Sequence, residues 1–160
     1  MGRPYHPPAL EVAVKFPARV SYGLRAAIVL AENYGNGPVL GKKISAAEGL
    51  PTAYLEQIMA SLARAGLVAG TRGAGGGYML ARAPSSITAA ELITALSGPL
   101  QLSDCPDGGA CCGDDSPACP VAELFSAADA AMRGVFNAST LADLAERRTS
   151  LRTEAQMFYI

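Results

Sequence analysis

Residues 41–81 read GKKISAAEGLPTAYLEQIMASLARAGLVAGTRGAGGGYMLA. Gly41–Glu48 predicts a short helix that Gly49 breaks. Pro51 opens the next helix, because its missing N–H falls in the first turn, where no helical partner exists for it. Leu55, Ile58, Met59 and Leu62 recur at i, i+3, i+4 and i+7 and make one apolar stripe. Gly66 ends that helix. Two short apolar strands are expected at Leu67–Ala69 and Tyr78–Ala81. The glycine-rich run Gly70–Gly77 joins them in a turn that can hold φ values closed to other residues, with Arg72 on it.

Upstream, Ala18–Tyr34 is a helical pattern with Val20, Leu24, Ala27, Ile28 and Ala31 on one face. Gly35-Asn-Gly-Pro38 stops it. Residues 1–14 are proline-rich and aperiodic, and are expected to form a flexible extension. Downstream, Thr88 and Glu91 have the spacing of a capping box that starts the helix Ala89–Leu96. Pro120 opens a long helix whose stripe is Val121, Leu124, Phe125, Ala128, Met132 and Val135. That stripe is wide and apolar, and is expected to pack on a second subunit; the alternative is that it closes its own core. Asn137–Thr140 interrupts, and Leu141–Arg148 makes a last short helix before a tail at 149–160.

Helix, short helix, turn, helix and hairpin follow one another in the order of a winged helix-turn-helix. The expected fold class is mainly α with a small β-hairpin wing, plus a long C-terminal dimerisation helix. The units are a DNA-binding domain over 15–100, a cysteine-rich loop over 101–119 and a dimerisation region over 120–148. Charge is split accordingly: residues 1–100 carry nine Lys and Arg against five Asp and Glu, and residues 101–160 four against nine. The first part suits a polyanion and the second does not, although a surplus of four cations is a modest argument. No apolar run approaches the ~18 residues of a membrane span, and the N-terminus lacks the apolar core of a secretory signal. A cytoplasmic protein with no membrane association is expected.

In this fold the N-terminal residues of the third helix meet base edges in the major groove. Here they include Thr52, Tyr54, Glu56 and Gln57. Gln57 suits an adenine edge, and Glu56 can accept from cytosine N4. Arg72 on the wing suits the narrow, negative minor groove. Lys42 and Lys43, at the start of the second helix, lie within reach of phosphate, which fixes register without reading sequence. The plainer alternatives are that Glu56 and Gln57 are solvated helix residues and that Tyr54 is a packing residue. Gly75–Gly77 is not a phosphate cradle, since no Lys-Ser/Thr and helix follow it. One histidine, His6 in the extension, supports no nucleophile–base triad, so an enzyme is not expected.

All four cysteines, Cys105, Cys111, Cys112 and Cys119, fall within fifteen residues rich in Gly, Pro and Asp. In a reducing compartment such a cluster favours metal binding or redox chemistry over a structural disulfide. Thiolate sulfur is the preferred ligand of iron–sulfur clusters. Zinc, a cluster-free thiol switch and a loop without function stay open.

Pro51–Ile58, Leu62–Val68 and the wing Arg72-Gly-Ala-Gly-Gly-Gly-Tyr78-Met-Leu80 resemble the Rrf-two family of winged-helix transcriptional regulators (IscR/NsrR-like). Lys15–Arg25 fits the family's first helix, and the likeness runs from about Lys15 to Arg148. It implies a homodimeric regulator, expected to be a repressor, that binds double-stranded DNA at a palindromic operator. By the family pattern, DNA contacts fall to Tyr54, Glu56, Gln57 and Arg72; position 53 is alanine where a serine occurs in the family. Members holding an iron–sulfur cluster use three cysteines spaced like Cys105, Cys111 and Cys119. The cluster type, 2Fe–2S or 4Fe–4S, stays open. Where some members use a histidine three residues beyond the third cysteine, this chain has Ala122; where others use a carboxylate of the first helix, it has Ser21. Cys112 is the most economical fourth ligand, with Glu123, Asp104 and an external molecule as alternatives. The function so implied is a regulator whose operator affinity is gated by the cluster or by the redox or nitric-oxide sensitivity of the cysteine loop. The same fold gated by thiols or zinc without a cluster is the alternative, and an iron–sulfur carrier or electron-transfer protein a further one.

Overall fold

The structure is a computed structural model that describes residues 16–73, 75–102 and 120–157. The expected N-terminal extension and all four cysteines lie outside the described residues. The elements in chain order are α1 (Ala18–Glu32), α2 (Gly41–Glu48), α3 (Thr52–Arg64), β1 (Val68–Thr71), β2 (Gly77–Leu80), a 3-10 turn (Pro84–Ser86), α4 (Ala89–Ser97), α5 (Pro120–Ala138) and α6 (Leu141–Met157).

Each predicted element is present, with ends displaced by a residue or two except at the C-terminal end of α6. The apolar stripe of α3 is buried as read: Leu55, Ile58, Met59 and Leu62 are inaccessible to solvent. They meet Val20, Ala27 and Leu30 of α1 and Leu92, Ile93 and Leu96 of α4 in one core. Burying such aliphatic side chains contributes about 1.5–3 kcal/mol each. Gly23 of α1 lets α4 approach, since a Cβ there would strike a methyl group of Leu96. At the end of α2, Gly49 takes φ +66°, the left-handed conformation that ends a helix and turns the chain toward α3.

β1 and β2 pair antiparallel, Val68 opposite Leu80 and Thr71 opposite Gly77. Val39, just before α2, bridges to Tyr78 as a third strand position. The Val39 N–H donates to the Tyr78 carbonyl at 2.8 Å, and the Tyr78 N–H to the Val39 carbonyl at 2.9 Å.

The capping box of α4 is formed. Thr88 Oγ1 accepts from the Glu91 N–H at 3.3 Å, and the Thr88 N–H donates to Glu91 Oε2 at 2.9 Å. Burial tends to raise the Glu91 pKa, but the Thr88 N–H and the Arg82 guanidinium outweigh it and hold the carboxylate below its ordinary range. A second reciprocal cap, absent from the sequence reading, starts α6. The Thr140 N–H donates to Asp143 Oδ2 at 2.9 Å, and the Asp143 N–H to Thr140 Oγ1 at 3.2 Å. The two helix starts lie side by side: the Ala89 N–H reaches the Ser139 carbonyl and the Leu141 N–H the Ile87 carbonyl, each at 2.8 Å. Leu141 is fully buried there.

Two differences from the sequence expectation concern the C-terminal part. α6 does not stop at Arg148; it continues to Met157, through most of the expected tail. Its charged residues explain this: Arg148 and Arg152 pair with Glu32 of α1, holding the helix without an apolar stripe. α5 packs on α4 and presses Phe136 edge-to-face on Phe16, with ring centroids 5.7 Å apart. It buries no residue fully, and Val121, Leu124 and Val135 of its stripe are exposed within this chain. No described helix is long and apolar enough to cross a membrane.

Replacing Thr88 by Ala removes the acceptor for the Glu91 N–H and is expected to cost about 1 kcal/mol in denaturant unfolding. The depressed Glu91 pKa adds a pH signature. Its stabilisation is present above the ordinary carboxylate pKa and is lost as pH falls through the lowered folded-state value. The acid side of the stability profile should therefore flatten in Thr88→Ala.

Candidate nucleic-acid interface

The start of α2, the start of α3 and the hairpin converge on one open cleft of about 450 Å³. Lys42, Thr52, Glu56 and Arg72 line it together with Gly41, Gly70, Thr71, Gly77 and Tyr78. Four of the seven expected DNA-contact residues are thus gathered by three separate elements. The cleft is open on one side, and Lys42, Thr52, Glu56 and Arg72 are exposed.

The other three lie beside it. Lys43 and Gln57 are exposed next to Lys42 and Glu56 but do not line the cleft. Tyr54 is half-buried and packs edge-to-face on Tyr22 of α1, centroids 6.1 Å apart. Arg25 stacks over the Tyr22 ring at 4.8 Å. Tyr54 therefore fits the packing reading, and its exposed portion stays next to the reading face of α3.

Sequence reasoning passed over Tyr78 as a strand residue. Its ring lies against Gly41 and Gly70, where added Cβ atoms would sit 3.4 and 3.8 Å from ring carbons. Gly77 is more constrained, because a Cβ there would collide with the Val39 carbonyl. The two glycines flanking the ring were the available signal, but glycines seen apart in sequence do not reveal a shared neighbour. Burial, and secondarily the Glu56 carboxylate, raises the Tyr78 phenol above its ordinary pKa. Glu56, a carboxylate in a cleft whose other charged residues are Lys42 and Arg72, suits a base-edge donor and not a phosphate.

The flanks of the cysteine loop are also defined. The Leu102 N–H donates to Asp129 Oδ1 of α5 at 3.0 Å, and the Leu100 carbonyl accepts from Arg133 at 2.9 Å. Pro120 begins α5 itself. Both ends of segment 103–119 are therefore tied to one helix, about 14 Å apart at 1.5 Å rise per residue. The four cysteines of that segment lie outside the described residues. Among the described residues no group of three or more His, Cys, Asp or Glu is placed to hold a metal ion.

A helix-turn-helix with a hairpin pinned beside its reading helix defines a winged-helix DNA-binding regulator. Comparison with known proteins gives the family. A family model described as "Rrf2: Iron-dependent Transcriptional regulator" matches residues 16–147, and the chain belongs to that family. The chain is 38% identical over 147 residues to the HTH-type transcriptional regulator CymR of Bacillus subtilis, covering 92% of this chain and 100% of that one. It is 32% identical over 138 residues to IscR of Klebsiella pneumoniae, covering 86% and 83%. A solved structure of CymR, described as the global cysteine regulator of B. subtilis, superposes with a TM-score of 0.71 at 36% identity, over 84% of this chain and 98% of that one. The chain is a DNA-binding transcriptional regulator, and its relatives are regulators, not enzymes.

In a titration followed by NMR of labelled tyrosine, Tyr78 should deprotonate above the ordinary tyrosine range. Glu56→Gln should lower its pKa without restoring the ordinary value, because burial is the larger cause.

Proposed function

We propose that this chain is a homodimeric cytoplasmic repressor that binds a palindromic double-stranded operator, with its affinity set by the state of the cysteine loop. The observation that carries the reading is the gathering of Lys42, Thr52, Glu56 and Arg72 in one cleft. In the complex, α3 enters the major groove with Thr52, Glu56 and Gln57 toward base edges, and Tyr54 at its margin. Arg72 enters the adjacent minor groove. Lys42 and Lys43 contact phosphate. The exposed apolar residues Val121, Leu124 and Val135 of α5 form the dimer contact, which places two reading helices on a two-fold axis and requires a palindrome.

Cys105, Cys111 and Cys119, with Cys112 as fourth thiolate, suit an iron–sulfur cluster of the 2Fe–2S or 4Fe–4S type. When bound, such a group supplies a centre that responds to oxidants and nitric oxide. What this chain contributes is the linkage. The loop is tied to α5 through Leu102, Asp129 and Pro120, so a change in its conformation bears on the helix that sets the spacing of the two subunits. Coupling of about 1–3 kcal/mol suffices for a switch. A cluster-free thiol or zinc regulator is the second reading, favoured by the likeness to a protein described as a global cysteine regulator.

Three measurements test these statements. Anaerobically purified protein and its apo form should differ five-fold or more in affinity for a duplex selected by the protein from a random pool, at one salt concentration; equal affinities defeat the gating. Iron, sulfide and zinc assays on the same sample separate the cluster reading from the other two. Leu124→Arg should give a monomer in sedimentation, whereas an unchanged dimer places the contact elsewhere.

A further inference from the structure

Glu48 is the last residue of α2 and sits at the turn of the helix-turn-helix. Its side chain is 4% exposed. A carboxylate at a helix C-terminus faces the negative end of the helix dipole, and burying it adds a desolvation cost unless cations compensate. Two do. Arg148 of α6 reaches Glu48 Oε1 through Nη2 at 2.8 Å, and Arg25 of α1 reaches Oε2 through Nε at 3.5 Å. Arg148 is itself held at 3.6 Å from Glu32 of α1, which also pairs with Arg152 at 3.2 Å. Five alternating charges thus join the C-terminal helix to the DNA-reading unit.

We infer that Glu48 and Arg148 are positioning residues for operator reading, through which α6 fixes the angle at which α3 is presented. The inference rests on the family's DNA-binding role and not on the state of the cysteine loop. Beyond Leu141 and the half-buried Leu144, α6 offers α1 little apolar surface, so its charges decide where it sits. Glu48 directly precedes Gly49, whose left-handed backbone aims Leu50, Pro51 and the start of α3. Without Arg148, Glu48 keeps only the longer contact to an arginine that is 51% exposed. The carboxylate then turns toward water, taking the end of α2 and the turn with it. Thr52 and Glu56, which lie in the turns of α3 nearest that point, lose their alignment with Arg72 on the wing. α6 follows α5 directly, so the same contact relays the placement of α5 to the reading helix.

The test uses full-length protein and a duplex selected by the wild type from a random-sequence pool, with an unselected duplex as the non-specific probe. Arg148→Ala and Glu48→Gln should each weaken binding to the selected duplex tenfold or more, well below their melting temperatures, while binding to the unselected duplex changes less than twofold. The double variant should lose no more than the weaker-binding single, and Arg148→Lys should recover part of the affinity. Arg147→Ala, whose partner Glu154 lies on α6 itself, should bind as the wild type does. A lowered melting temperature with unchanged selected-duplex affinity overturns the inference, as do additive losses in the double variant or equal losses on both duplexes. If Arg148→Ala does not fold, Arg148→Lys is read instead, with a threefold loss expected and no loss contradicting. A wild type that selects no duplex overturns this inference together with the DNA-reading assignment.

Discussion

The wing stands beside the reading helix because Gly77 has no side chain. Its backbone lies so close to the Val39 carbonyl that any Cβ would collide with it. That approach lets the two hydrogen bonds between Val39 and Tyr78 form and puts the Tyr78 ring against Gly41 and Gly70. Since Val39 leads directly into α2, the hairpin is fixed to the helix-turn-helix near its turn end. Arg72 then shares a cleft with Lys42, Thr52 and Glu56. A hairpin of two four-residue strands is marginal by itself, and its attachment to the segment ahead of α2 gives it a defined position.

The parts legible in the sequence are those set by local rules. The stripe Leu55, Ile58, Met59, Leu62 fixed which face of α3 enters the core, leaving Thr52, Glu56 and Gln57 outside. Gly49, Pro51 and the Thr88–Glu91 pair marked helix ends through their own backbone requirements. The parts that escaped depend on partners distant in sequence. α6 has no apolar periodicity, so its last turns were read as a tail; Glu32 and Glu48, about a hundred residues earlier, hold it. Tyr78 looked like an ordinary strand residue because the glycines that accommodate its ring lie eight residues before it and at the start of α2. Tyr54 illustrates a mixed outcome, since it lies on the expected helix face yet turns toward Tyr22.

The two halves of the chain divide the work by charge and by polarity. The first hundred residues carry the cation surplus and the cleft, while the remainder carries the acidic loop and the exposed apolar face of α5. Two of the contacts between them involve α6. One is the paired starts of α4 and α6, where Thr88 and Thr140 lie opposite each other and Leu141 is buried. The other is the charged contact of α6 with Glu32 and Glu48.

The central claim is that this chain reads DNA as a two-fold pair of winged helices. The most direct measurement is a combined footprint on a selected duplex, with guanine N7 methylation reporting the major groove and hydroxyl radicals the minor groove. The account predicts two symmetric major-groove protections, each flanked by a minor-groove protection from the wing that disappears in Arg72→Ala. A single unsymmetric footprint, or minor-groove protection with the major groove left open, would contradict it.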